Sequence, residues 1–454
     1  MENEKIISGM IEKARAGQKE FENYSQEQVD EIVKIIAKTV FDNAELLAKM
    51  AVEETRMGVY EHKVKKNMGK SRIIWNSLKG KKSVGIIEED QENGIIKVAK
   101  PMGIIGAVAP CTNPIVTPMC NAMFALKGRN AIIIAPHPRA KKCVWHTVAL
   151  INENLKKINA PEGLIQTIEE PSIELTNLLM KSADVVVATG GMGMVKSAYS
   201  SGKPAFGVGA GNVQCIVDRD VDFKEVVPKI IEGRTFDNGI ICSGEQMVIV
   251  HEDDFDAILK EFKANGAYFI ESAEEKNKLK KGIFDENGVM DRKAVGQSVE
   301  AVAALSDISI PENASVIMVE IDNADKTDLF RKEKMCPVIG IVKYKTLDEA
   351  IEIAQMDLEI EGKGHSVAMH SNNKENIKIA GEKLTVSRLL INQICATMNG
   401  GSFSNGLAAT TTLGCGSWGN NSISENLDYK HLINISRIAF SIEGSQPSDE
   451  EIWG

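Results

Sequence analysis

Val185-Val-Val-Ala-Thr-Gly-Gly-Met-Gly-Met-Val-Lys196 reads as a short buried strand that passes through a glycine turn into a helix. Its continuous apolar run suits a strand covered on both faces, and the glycines let backbone approach a bound group such as a pyrophosphate at the helix start. It is not a GxGxxG fingerprint, so by spacing alone it is a weak dinucleotide signal. The same texture recurs on both sides, at Ile104–Val108, Ala131–Ala135, Ile165–Ile168 and Val213–Val217, with helical stretches between. That alternation predicts βαβ units and a mostly parallel sheet.

A second set of runs follows at Met247–Val250, Val316–Val319, Val338–Val342, Val367–His370 and Leu389–Asn392. Helical segments at Asp254–Asn265 and Leu347–Met356 separate them, which predicts a second α/β domain. Upstream, Ser25 and Gln28 fit a capping box, and Val29, Ile32, Val33, Ile36 and Val40 recur at helical spacing. The first hundred residues read as helices. Downstream, Asn399-Gly-Gly-Ser-Phe-Ser-Asn-Gly406 and Thr410-Thr-Thr-Leu-Gly-Cys-Gly-Ser-Trp-Gly-Asn-Asn421 carry few charges. A long uncharged loop of this kind is functional or pinned against another surface.

The chain has 454 residues, too many for one core. Lys+Arg 53 against Asp+Glu 63 gives a net charge of -10, which argues against a nucleic-acid surface and requires locally placed cations for any anionic substrate. The start MENEKIISGM lacks a basic stretch leading into an apolar run, and no apolar stretch is long enough to span a bilayer. A cytoplasmic protein with no membrane partner is expected. The eight cysteines form no CxxC pair and no zinc-ligand spacing, so neither disulfides nor a metal are expected and most of the thiols read as inert core.

One cysteine has a distinctive context. Phe236-Asp-Asn-Gly-Ile-Ile-Cys-Ser-Gly-Glu-Gln246 places Cys242 among small residues that would let a substrate carbon reach the sulfur. Because the thiolate is the nucleophile, such a site is expected to lower the thiol pKa with backbone N–H groups or a nearby cation.

Together these segments resemble the CoA-acylating branch of the aldehyde dehydrogenase superfamily over essentially the whole chain. The resemblance implies an aldehyde dehydrogenase-like α/β fold with two Rossmann-like domains and a small oligomerisation extension. Residues 1–215 would form the nucleotide-binding domain with its helical N-terminal part, 216–415 the catalytic domain, and 416–454 a C-terminal segment for homo-oligomerisation as a dimer or higher assembly. Cys242 matches the nucleophile that forms the thioester. Ala109-Pro-Cys-Thr-Asn-Pro114, on its own a turn initiated by Asn-Pro, matches the loop whose asparagine, here Asn113, donates to the oxyanion. Thr112 lies in the same loop, at the nucleotide. Thr189, Gly190 and Gly191 match the turn against the cofactor. Glu333, on its own one acid of a solvated charge run in Arg331-Lys-Glu-Lys334, matches the residue that holds the nicotinamide ribose.

Departures from the hydrolytic branch decide the chemistry. Hydrolytic members carry a glutamate general base where Phe206-Gly-Val-Gly-Ala-Gly-Asn212 stands, with Val208 near its position. Without that base the acyl-enzyme is expected to persist until a thiol such as CoA arrives. Ala135-Pro-His-Pro-Arg-Ala-Lys-Lys142 replaces a segment whose lysine and glutamate engage the adenosine ribose. His137, Pro138 and Arg139 would border the nucleotide there, and a cation without an acid favours NADP(H), with NAD(H) as the alternative. Gly362-Lys-Gly-His365 resembles a segment of the acylating branch, which would make His365 a base for the CoA proton near neutral pH, or a hydrogen-bonded core histidine.

Two longer runs, Ala188 to Pro204 and Thr412 to Asn426, resemble the members of the branch that interconvert succinyl-CoA plus NAD(P)H with succinate semialdehyde, CoA and NAD(P). Ser243 and Arg388 are candidates for the substrate carboxylate, although Arg388 reads equally as a surface residue of a strand edge. The alternatives are an enzyme for acetyl-CoA or propionyl-CoA, or a catalytically silent scaffold of the same fold.

Overall fold

A computed structural model describes residues 2–442, 444 and 446–454. Four helices open the chain: Glu2–Phe21, Gln26–Asp42, Ala44–Thr55 and Tyr60–Leu78. The capping box forms as the sequence predicts: Ser25 Oγ accepts from the Gln28 N–H while Gln28 Oε1 accepts from the Ser25 N–H. Val29, Ile32, Val33, Ile36 and Val40 all face the core.

Two wholly parallel sheets follow. The first runs in the order Ile165–Thr167, Ala131–Ala135, Ile104–Val108, Val185–Thr189, Ala205–Val208. The second runs Ala267–Ile270, Val316–Glu320, Val338–Tyr344, Glu245–His251, Val213–Val217, Val367–His370, Leu389–Ile391. The chain passes from one sheet to the other between Val208 and Val213, through glycines 209 and 211. A division at 215 would cut the strand Val213–Val217, which pairs wholly within the second sheet.

The reading of the first hundred residues as helical fails at its end. Gly85–Asp90 and Ile95–Pro101 are antiparallel strands, and the second of them also pairs with Ile433–Ala439 in a three-stranded sheet. Glycines at positive φ (Gly85, 65°; Gly94, 59°) interrupt any helix here, and the partner strand lies at the far end of the chain, beyond the reach of local periodicity. The uncharged tail is pinned. Thr410, Thr412 and Cys415 are buried, and Ala409, Leu427 and Leu432 join the core of the first sheet.

Candidate active site

Parallel strands present loops at their ends. Asn113, Arg139 and the glycines after Val208 follow the C-terminal ends of first-sheet strands, and Thr189 ends one, where α/β folds bind ligands. Gly211, Cys242, Glu333, His365 and Arg388 all precede the N-terminal ends of second-sheet strands. Residues scattered over most of the chain are thereby gathered where the two sheets face each other.

Cys242 stands on a tight turn. The Gly244 N–H donates to the Ile241 carbonyl at 2.9 Å, with Cys242 and Ser243 at the central positions. Just before it, Asp237, Asn238 and Gly239 take φ of 54°, 54° and 71°, a left-handed excursion that Asp, Asn and Gly tolerate best. The helix Tyr60–Leu78 clamps this loop. Asp237 Oδ2 accepts from Lys63 Nζ at 2.9 Å and Lys66 Nζ at 2.7 Å, Oδ1 accepts from the Val59 N–H at 2.8 Å, and the Asp237 N–H donates to His62 Nδ1 at 2.9 Å. Burial would raise the Asp237 carboxyl, but Lys66 and Lys63 outweigh it and hold the group below the usual range.

Around the sulfur the walls are apolar. Cys242 packs against Val208, Leu413 and Cys415, so the position expected to lack a carboxylate borders the expected nucleophile. Gly211 lies against the Cys242 backbone. The expectation that the site lowers the thiol pKa is corrected: the thiol is pushed up to about 12, by burial first and then by the charge of Glu333 and by Cys415. Arg388 and the Cys242 N–H pull the other way without winning.

Asn113 is held by Lys66, whose Nζ donates to Asn113 Oδ1 at 2.7 Å. Thr112 is partly exposed beside it. Thr189 ends its strand, and among the described residues its hydroxyl is buried without a partner, while Gly191 opens the helix Met192–Tyr199 with no side-chain cap and nothing within 4 Å of a Cβ at that position. An unpaired hydroxyl beside an uncapped helix start and open space fits a nucleotide diphosphate. Glu333 is partly exposed at the same site. Its Oε1 accepts from the Gly211 N–H at 3.4 Å, and its carboxyl is raised to about 8 by burial and then by Glu361.

His137, Pro138 and Arg139 are exposed at the end of Ala131–Ala135, with Arg139 Nη2 donating to the Thr55 carbonyl at 2.7 Å. This rim is not free of acid, as the local sequence implied. Glu54, from a preceding helix, accepts from the Lys142 and Cys143 N–H groups at 2.9 and 2.8 Å.

Three further expectations change. His365 is fully buried, among the described residues neither ring nitrogen has a partner, and burial and then Arg388 push its pKa down to about 3, away from the near-neutral value expected of it. Arg388 is no exposed strand edge. It is buried and donates to Ser366 Oγ, the carbonyls of Gly414 and His365, and Asn426 Oδ1. The Ser243 hydroxyl donates to the Ala396 carbonyl at 3.0 Å, so the donors expected to read a substrate carboxylate are engaged within the protein. Lys63, Lys66 and Asp237 were not legible as site residues, because nothing local distinguishes a buried lysine from a solvated one.

Residues 2–283 match the aldehyde dehydrogenase family. The chain is 54% identical over 455 residues to a succinate-semialdehyde dehydrogenase (acetylating) of Clostridium kluyveri, covering 100% of both chains. Its structure superposes on an acetylating aldehyde dehydrogenase from Geobacillus thermoglucosidasius with a TM-score of 0.94 and 37% identity, covering 98% of this chain and 99% of that one. A propionaldehyde dehydrogenase of Rhodopseudomonas palustris, solved with bound CoA and an acylated cysteine, gives 0.86 and 29%, covering 96% and 97%. With sequence agreement over its full length and a fold shared with solved relatives, this chain belongs to the aldehyde dehydrogenase family.

Proposed function

We propose that this chain is a CoA-acylating aldehyde dehydrogenase that interconverts succinyl-CoA plus NAD(P)H with succinate semialdehyde, CoA and NAD(P) through a thioester on Cys242. The observation that carries this reading is the apolar wall of Val208, Leu413 and Cys415 against Cys242. None of these three side chains is a carboxylate that could activate water, and Glu333, whose charge reaches Cys242, is assigned to the nucleotide ribose, so the thioester meets a thiol before it meets hydroxide. The succinyl group is assigned from the Clostridium kluyveri relative.

In the reductive direction the Cys242 thiol gives up its proton and its sulfur attacks the thioester carbonyl while the Asn113 amide donates to the oxyanion, and CoA leaves, taking up that proton as its thiol. The nicotinamide nucleotide, when bound, supplies the hydride. Thr189, Gly190 and Gly191 would hold its diphosphate and Glu333 its ribose. The thiohemiacetal on Cys242 then collapses to the aldehyde. Arg139 and Lys142, both exposed, outnumber Glu54 at the adenosine rim, which favours the 2′-phosphorylated nucleotide.

We further assign residues 1–212 to the nucleotide side, 213–408 to the catalytic side, and the sheet of Gly85–Asp90, Ile95–Pro101 and Ile433–Ala439 to homo-oligomerisation. Exposed Ile438 and Phe440 at the end of its outer strand support that role.

The test is NADPH oxidation with succinyl-CoA by wild type and Cys242→Ala, with acetyl-CoA, propionyl-CoA and NADH as comparisons. Turnover that survives Cys242→Ala refutes the covalent route. A higher kcat/KM for acetyl-CoA or propionyl-CoA refutes the succinyl assignment.

A further inference from the structure

An asparagine serves an oxyanion only when its Nδ2 faces the developing charge, since the same side chain turned over presents a carbonyl oxygen and repels it. We infer that Lys66 is the positioning residue that fixes the Asn113 amide in its donating orientation, and that Asp237 ties this device to the loop carrying Cys242. The inference rests on the reading of Asn113 as the oxyanion donor.

An ammonium has three donors and no acceptor, so Lys66 Nζ at 2.7 Å can pair only with Asn113 Oδ1. With Oδ1 occupied, the Nδ2 hydrogens face the other way, and the cation behind the amide polarises them. Lys66 is itself fixed by Asp237 Oδ2 at 2.7 Å, and the Lys66 and Asp237 side chains are 9% and 0% exposed. Lys63, at 2.9 Å from the same oxygen, keeps Asp237 in place from the preceding turn of the helix. Asp237 lies in the left-handed excursion that leads directly into Cys242. One continuous, partly buried chain, Asn113–Lys66–Asp237, therefore links the oxyanion loop of the first sheet to the nucleophile loop of the second. Burial pushes Lys66 down to about 8 with Asp237 opposing, so the carboxylate also keeps the lysine charged at neutral pH.

The test is a double-mutant cycle on the burst of p-nitrophenolate from p-nitrophenyl acetate. The burst reads acylation of Cys242 and use of the oxyanion hole without CoA, nucleotide or succinyl group, so this inference and the substrate assignment fail separately. Lys66→Met is expected to slow the burst by about 10- to 100-fold, less than or equal to the loss on removing an oxyanion donor outright. In the Asn113→Ala background the same change is expected to cost no more than about twofold, because a residue acting through Asn113 has nothing left to position. Lys66→Arg, which keeps the charge and offers only donors, is expected to recover most of the burst.

An equal loss from Lys66→Met with and without Asn113 overturns the inference. So does an unchanged burst accompanied by a raised KM for succinyl-CoA, which would make Lys66 a contact for the substrate carboxylate in the cleft it shares with Lys63, Asn67 and Asn113. Should Lys66→Met fail to fold, the cycle is run with Lys66→Gln. A loss that vanishes without Asn113 then supports positioning, and one that persists refutes it.

Discussion

Gly211 lies so close to Cys242 that a Cβ at Gly211 would meet the Cys242 carbonyl oxygen at 1.9 Å. The obstacle is backbone, so no side chain can swing aside. Gly211→Ala is expected to displace the nucleophile turn and lower kcat by about 100-fold, the usual cost of a misplacement near 1 Å. Steady-state rates with succinyl-CoA check this, and a rate near wild type would mean that the turn shifts without consequence.

Val208 tests why the thioester waits for a thiol. Val208→Glu places a carboxyl against Cys242, and if it ionises there, water gains a general base. Succinyl-CoA hydrolysis without nucleotide is expected to rise by about 100-fold, the lower range for general-base catalysis. Release of free CoA thiol is the measurement, with Val208→Gln as the uncharged control. If both variants behave alike, Val208 is not what protects the acyl-enzyme from water.

How much of this was readable beforehand follows from the range of the forces involved. Most strands of both parallel sheets were legible because buried strands are continuous apolar runs, although Val213–Val217, grouped with the first set, pairs within the second sheet, and Cys242 and Val208 were legible through the resemblance of their segments to the family. Ile95–Pro101 was not, since beside its local partner Gly85–Asp90 it pairs along its whole length with Ile433–Ala439 from the opposite end of the chain. The elevated thiol of Cys242 and the depressed imidazole of His365 were also hidden. Each depends on how deeply tertiary packing removes water, and a motif carries no information about that. Lys66 illustrates the same limit, because a lysine on a charged helix becomes a site residue only when Asp237 and Asn113 close over it.

The segment bearing Glu333 is anchored by a buried ion pair. Arg331 Nη1 and Asp357 Oδ1 lie 2.7 Å apart, both side chains fully buried, and Arg331 also donates to the carbonyls of Asp325 and Asp322. Asp357→Ala would leave the guanidinium without its anion in the interior and is expected to destabilise the fold by about 3–5 kcal/mol. Urea denaturation at pH 7 reads the loss. A change below about 1 kcal/mol would imply that the carbonyls alone satisfy the charge.

Glu333 and Cys242 are coupled through charge, and the sign of that coupling makes a prediction opposite in its two halves. With the thiol pushed up to about 12, the free protein holds little thiolate at pH 7, and alkylation of Cys242 by iodoacetamide is expected to accelerate by about tenfold per pH unit towards pH 11. Slow labelling at neutral pH is therefore no sign of a silent scaffold. Glu333→Gln removes the charge that ranks next after burial in raising the thiol, so labelling at pH 8 is expected to quicken. The same change removes the proposed ribose contact, so KM for the nucleotide should rise. Peptide mass spectrometry on the Cys242 fragment gives the first quantity and steady-state kinetics the second. Slower labelling would show that Glu333 acts on Cys242 as a base and not as a repelling charge. An unchanged KM would remove Glu333 from the nucleotide site.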